Sequence, residues 1–274
     1  MPRYRIDIEY EGTRYSGWQV QKNARTVQGE IEHALHSVFG TTELEFQGAG
    51  RTDAGVHAIR QTAHLEVATM LAPEIIRQKV NELLPPDINI LEARKAQPKF
   101  HARHDALTRS YLYQVARRRT AFGKRYVWWV KDPLNIAAMQ EAARGFAGMK
   151  DFQSFTDDDP AAKSTKVLME EVTVKEAGDL VLIRVRGSHF LWKLVRRIVG
   201  VLVETGRGTL APKDITRLLL EESNAPARFT APPSGLFLER VTYAGERRLT
   251  DILPVMLVAD RRVLLDFKQE RKHS

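Results

Sequence analysis

ELEFQGAGRTDAGVHAIRQTAHLEV, residues 43–67, consists of two strand-like runs, 43–47 and 60–67, interrupted by a glycine-rich turn. The turn sets one carboxylate, Asp53, between Arg51 and the small residues Ala54 and Gly55. Glycines at 48, 50 and 55 let the backbone reverse sharply and let another chain or a ligand come close. An Asp in such a turn is ordinarily a turn former that bonds its own backbone. A carboxylate two residues from a guanidinium is also the arrangement that keeps a nucleophile ionised. Both readings of Asp53 stand on the residues alone.

Outward from this stretch the periodicities fall into a regular order. Tyr4, Ile6, Ile8 and Tyr10 alternate as in a half-buried strand. Thr26 is placed as an N-cap, Val27, Ile31, Leu35 and Val38 form an apolar helical stripe, and Gly40 ends it. Pro73 opens a second helix that stops before Pro85-Pro86, and 88–93 reads as a strand, which makes the order β-α-β-β-α-β. The second half repeats it with one extra helix: strand 106–116, helix 134–146, strands 167–175 and 180–186, helices 190–204 and 212–221, strand 236–243. The pattern predicts an α+β protein of two ferredoxin-like halves, 1–104 and 105–245. Their strands are expected to join in one continuous, mainly antiparallel sheet with helices on one face. A tail, 246–274, follows; its apolar stretch 252–258 is expected to pack on the body or on a partner chain.

Composition narrows the function classes. The chain of 274 residues carries a formal net charge of +8, which points to a polyanionic partner. The charge is concentrated in 92–125, where ten Lys or Arg face only Glu92 and Asp105. Tyr111, Tyr113, Phe122, Tyr126, Trp128 and Trp129 lie within or just after that segment, a mixture suited to phosphate contact and base stacking. The two tryptophans read more simply as strand residues filling a core. With no cysteine, disulfides, thiolate zinc sites and cysteine nucleophiles are excluded. The N-terminus starts directly with a strand pattern, and no apolar run reaches a membrane-spanning length, so a cytoplasmic protein is expected.

GRTDAGVHA, together with Phe100-His-Ala-Arg-His-Asp105, Arg109-Ser-Tyr111-Leu-Tyr113, Asp151-Phe-Gln-Ser-Phe155, FLWKLVRRIVG (190–200) and Gly235-Leu-Phe-Leu238, resembles the tRNA pseudouridine synthase A family, and the motifs occur in the family's order. The resemblance runs from about Tyr4 to Tyr243. It implies the pseudouridine synthase fold and isomerisation of uridine to pseudouridine at positions 38, 39 and 40 of the tRNA anticodon stem-loop. It implies no cofactor, tRNA as partner, and a homodimer with one tRNA crossing both subunits. A noncatalytic tRNA-binding or RNA-folding module is the alternative; Asp53 separates the two, because a binding module has no need of it.

The same resemblance assigns roles. Asp53 supplies the nucleophilic or electrostatic step, and Tyr111 stacks on the target uracil while the base turns. Stacking contributes on the order of 1 to 3 kcal/mol per base without fixing rotation in the plane. In the helix expected at 190–204, Arg196 and Arg197 both border the apolar arc, and periodicity does not choose between them. The family pattern favours Arg196 as the partner of Asp53, leaving Lys193 and Arg197 to a solvated basic face. Arg51 is implied to extrude the target base or hold its phosphate, and Leu236 to close the pocket. Extrusion costs a few kcal/mol, which contacts to the RNA backbone must offset. The 92–125 segment and the run Arg117-Arg118-Arg119 are the candidates for those contacts.

Other constellations are weaker. His101 and His104 stand three apart beside Asp105, without a third ligand at a familiar spacing, and read as packing or phosphate contacts, not a metal site. The glycines match no dinucleotide or P-loop spacing, and no Gly-x-Ser-x-Gly elbow occurs. Asp157-Asp158-Asp159-Pro160 reads as a solvated acidic turn.

Overall fold

A computed structural model describes residues 1–257 of the chain. The fold is mixed α+β, with helices and a large, mostly antiparallel sheet. Two compact units can be distinguished: Met1–Tyr111 with Phe237–Arg248, and Leu112–Leu236 with the described residues after Arg248.

The first unit begins with β1 (Arg3–Tyr10), α1 (Val27–Phe39), β2 (Leu44–Gly48), β3 (His57–Val67), α2 (Pro73–Leu83) and β4 (Ile88–Lys95). Strand β1 pairs antiparallel with both β3 and β4, and β2 pairs antiparallel with β3. Helix α1 forms where its signals stand: the Thr26 hydroxyl accepts from the Gly29 N–H at 3.3 Å, and Gly40 ends the helix at φ 63°. Ile31 and Leu35 of α1 and Ile76 and Val80 of α2 meet Ile6, Phe46 and Ile90 of the strands. Both helices therefore cover the same face.

Strand β5 (Thr108–Ala116) carries the chain into the second unit. There follow β6 (Trp128–Trp129), α3 (Ile136–Arg144), β7 (Gly148–Asp151), β8 (Lys166–Ala177), β9 (Leu180–Gly187), α4 (Leu194–Gly206), and two short helices, α5 (Asp214–Leu220) and α6 (Ala225–Arg228). Strands β7, β8 and β9 pair antiparallel in sequence order, and β6 pairs parallel with β5. The last strand, β10 (Leu236–Thr242), returns to the first unit, where Phe237 and Leu238 pair parallel with His57 and Ala58.

The division between units lies inside β5 and not at 104/105, and 237–248 rejoins the first unit. The physical reason is a set of contacts around β1. Besides the β3–β10 pairing, the Arg5 guanidinium lies 4.4 Å from the Tyr243 ring centroid and pairs with Glu246 at 2.6 Å. Arg5 also bonds buried Asp7, which accepts from Arg60 and from the Thr62 hydroxyl, each at 2.7 Å.

Several expectations change in the second unit. Helix α4 starts at Leu194 and not at 190, because Lys193 takes φ 62°, a left-handed conformation that no helix continues through. Strands β6 and β7 and helix α6 are additional, each four residues or shorter. Trp129 is 43 % exposed and Trp128 half-buried, so neither fills a core, whereas Tyr111 and Tyr113 are buried. Of the tail, Ile252 packs against Leu112, Ala116, Val127, Leu180 and Leu182, and the Arg184 guanidinium bonds the Thr250 carbonyl at 3.2 Å. Leu253, Val255, Met256 and Leu257 are exposed, and the remainder of the tail, 258–274, lies outside the described residues.

Candidate active site

In the first unit Asp53 sits in the β2–β3 connection, half-buried, in a loop held from several sides. The stretch between β1 and α1 is its principal support. The Trp18 N–H donates to the Thr52 carbonyl at 3.1 Å, and the Gly55 N–H donates to the Tyr15 carbonyl at 3.3 Å. The Thr52 hydroxyl shares a 2.8 Å hydrogen bond with buried Tyr10, and the Val56 N–H closes a turn on the Asp53 carbonyl at 3.1 Å. Gly12 and Gly17 make this approach possible. A Cβ on Gly12 would lie 1.9 Å from the Val56 carbonyl oxygen; Gly17, at φ 97°, would place one 2.6 Å from that of Thr52. His57, at the start of β3, accepts from the Gly12 N–H through Nδ1 at 3.0 Å. Asp53 thus projects from a backbone bonded on both flanks.

Tyr111 lies on β5 and is 8 % exposed. Burial pushes its phenol up to about 12; the Arg109 charge opposes the shift and the Asp53 charge adds to it. The phenol is therefore neutral at physiological pH, and the carboxylate is near enough for its field to act on it. Arg51 is exposed and its Nε donates to the Gln19 side-chain oxygen at 3.0 Å, at the outer side of the loop.

The second unit holds Arg196 and Leu236 in a construction of its own. Arg196 is half-buried in the first turn of α4, and its Nε donates to the Ala231 carbonyl at 2.7 Å. The backbone of 229–235 lies directly on α4: a Cβ on Gly200 would come within 1.6 Å of the Phe229 carbonyl oxygen. Tyr113 donates to the Pro232 carbonyl at 2.8 Å, and the segment ends at buried Leu236. One stretch of chain therefore positions both residues.

Arg197 is not on a solvated face. It is 4 % exposed, pairs with Asp157 and donates to the Ser154 carbonyl. Asp157 also accepts from Lys193 at 2.7 Å, and this bond, with the Arg197 pair, holds its carboxyl below the usual range. Asp158 accepts from the Trp192 N–H at 3.0 Å. The acidic loop thus clamps the entry to α4 and is not simply solvated. His101 sits between His64 and His104, with ring centroids at 4.7 and 4.1 Å. Buried His64 bonds Glu45 at 3.0 Å and accepts from the Ala102 N–H at 3.1 Å, so the histidines serve packing of the β4–β5 connection. Among the described residues no group of three or more His, Cys, Asp or Glu is arranged to hold a metal, and no helix is long and apolar enough to cross a membrane.

Two members of the basic run are neutralised: Arg117 pairs with Glu176 at 2.5 Å and Arg118 with Asp179 at 2.8 Å. Sequence reasoning missed Gly12, Trp18 and Arg109 as supports of the Asp53 loop in the first unit, and the Asp157–Arg197 pair at the entry to α4 in the second. The sixteen residues between β1 and α1, with two glycines and a Trp and little periodicity, were the available signal for the first two.

The family model for tRNA pseudouridine synthase matches residues 7–105 and 142–244. Curated proteins named tRNA pseudouridine synthase A are similar over most of the chain. The one from Nitrobacter hamburgensis is 40 % identical over 246 residues, covering 89 % of this chain and all of that protein. Those from Maricaulis maris and Geobacter sulfurreducens are 39 % and 37 % identical, each covering 89 % of this chain and 99 % and 100 % of their own lengths. Fold, motifs and relatives together define an isomerase that acts on uridine in tRNA. The chain belongs to the tRNA pseudouridine synthase family, among relatives that carry the A designation.

Proposed function

We propose that the protein isomerises uridine at positions 38, 39 and 40 of the anticodon stem-loop, with Asp53 as the essential residue. The observation that carries this reading is the Asp53 carboxylate on a doubly anchored loop, with its field on the buried phenol of Tyr111. The reaction breaks the N1–C1′ bond, turns the uracil and forms a C5–C1′ bond. C5 loses a proton and N1 gains one, so nothing is oxidised, added or lost. Asp53 attacks the substrate or stabilises the cation-like sugar, Tyr111 keeps the freed base stacked as it turns, and Arg196 compensates the carboxylate charge, which desolvation would otherwise penalise. Arg51 helps extrude the target base or holds its phosphate, and Leu236 closes the pocket. No cofactor takes part.

Contacts to the rest of the tRNA come from the lobe between β5 and β6. Residues 117–131 contain no carboxylate, and with Arg117 and Arg118 already paired, Arg119 and Lys124 remain for phosphates. Phe122 at the tip is 89 % exposed beside the left-handed Gly123, a platform for an unstacked base. The enzyme works as a homodimer in the cytoplasm, a reading that rests on the family resemblance. Mapping pseudouridine in unmodified tRNA after incubation with the protein tests the assignment. Product at 38–40 alone is expected; product elsewhere contradicts the assigned positions, and no product with tRNA bound returns the noncatalytic tRNA-binding module to consideration.

A further inference from the structure

Arg109 and Tyr111 are two residues apart on β5, and alternate residues of a strand share a face. The intervening Ser110 bonds Glu239 at 2.5 Å. The Arg109 guanidinium is half-buried and spends its fork on backbone carbonyls: Ala49 at 3.1 Å, Arg103 at 2.7 Å and Ala106 at 3.2 Å. Ala49 is the first residue after β2, four residues before Asp53, and its own N–H donates to the Thr62 carbonyl at 2.7 Å. Arg103 and Ala106 belong to the β4–β5 connection, whose Ala102 carbonyl accepts from Tyr243 at 2.6 Å. One side chain therefore joins the root of the Asp53 loop to the strand that bears Tyr111. Its charge also acts on the Tyr111 phenol.

We propose that Arg109 is a positioning residue for the isomerisation, setting the separation of the Asp53 carboxylate from the Tyr111 ring without touching substrate; the proposal rests on the roles given above to those two residues. A lysine does not replace it. An ammonium is a compact point charge without the planar fork that reaches three diverging carbonyls. Loss of the tie leaves the tRNA surface intact and lets the loop drift, and a misplacement of about 1 Å costs on the order of 100-fold in rate.

The test compares Arg109→Ala and Arg109→Lys with the native enzyme in single-turnover tritium release from [5-³H]uridine tRNA at saturating enzyme, alongside tRNA affinity. The expected result is a rate loss of about 100-fold with affinity within about threefold, partly restored by added methylguanidinium and not by methylammonium. Arg109→Lys should resemble Arg109→Ala. A near-native rate in either folded variant, a loss carried by affinity, or a loss indifferent to methylguanidinium overturns the proposal. Should Arg109→Ala not fold, Arg109→Lys decides; unfolding of both makes Arg109 a residue of stability and also overturns it. Absence of tritium release from the native enzyme would instead defeat the isomerase reading itself.

Discussion

Arg196 and Ala231 are tied twice. The Arg196 Nε donates to the Ala231 carbonyl at 2.7 Å, and the Ala231 N–H donates to the Arg196 carbonyl at 3.1 Å. The side chain and backbone of one residue thus grip a single partner across two segments, and the guanidinium is held in one orientation. Arg196→Lys keeps the charge and loses this orientation. Its turnover number is expected to fall at least about tenfold, roughly 1.4 kcal/mol, with tRNA affinity nearly unchanged in filter binding. A turnover number equal to the native value would remove the positioning argument.

Gly200 permits that grip, because α4 runs against the Phe229 carbonyl with no room for a methyl group. Gly200→Ala must push 229–235 away, and overpacking of this kind costs about 1 to 3 kcal/mol. Chemical denaturation should show that loss, accompanied by lower activity in the protein that remains folded. Unchanged stability would mean that the segment yields freely.

The lobe between β5 and β6 holds two kinds of basic residue. Replacing Arg117 and Arg118 by Gln removes ion pairs to Glu176 and Asp179, and the salt dependence of tRNA binding should keep its slope. Replacing Arg119 and Lys124 by Gln should lower the slope by about two. Phe122→Ala should weaken binding by roughly 5- to 150-fold, the equivalent of one lost stack. The reverse order of effects would place the RNA on the hairpin side of the run.

Asp7 links pH to the stability of the first unit. Burial pushes its carboxyl up, but Arg5, the Thr62 hydroxyl and Arg60 overcome that and hold it below its ordinary 3.8. A folded-state pKa below the unfolded one contributes stability that is present above about pH 3.8 and is lost as pH falls through the folded value. Asp7→Asn leaves Arg5 and Arg60 short of a buried partner and should cost about 3 to 5 kcal/mol at neutral pH. Its unfolding free energy should also fall less steeply than the native one below pH 4. Parallel curves would assign the acid sensitivity to other carboxylates.

Local chemistry carried much of the fold. Thr26 and Gly40 bracket α1 through a side-chain bond and a left-handed residue, both of which are properties of those residues themselves. Pro73 opens α2 for a similar reason. Where tertiary contacts decide, the reading failed. Phe190 and Leu191 continue the apolar arc of α4, yet the Asp157 and Asp158 carboxylates hold Lys193 and the Trp192 N–H and the helix begins later. Arg197 looked solvated because its partner lies forty residues away. Asp53 was legible as an unusual carboxylate in a glycine-rich turn, but its supports, Trp18 and Arg109, reach it through backbone carbonyls, which leave no mark on the identity of the residues that bear them.

The most direct measurement is tritium release from [5-³H]uridine in unmodified tRNA by the native protein and by Asp53→Asn, with no metal or nucleotide added and with tRNA affinity measured in parallel. The native protein should release tritium stoichiometrically with pseudouridine formed, and Asp53→Asn should release none while binding tRNA within about tenfold, or 1.4 kcal/mol, of native. Isomerisation by Asp53→Asn at a rate near the native one would contradict the account.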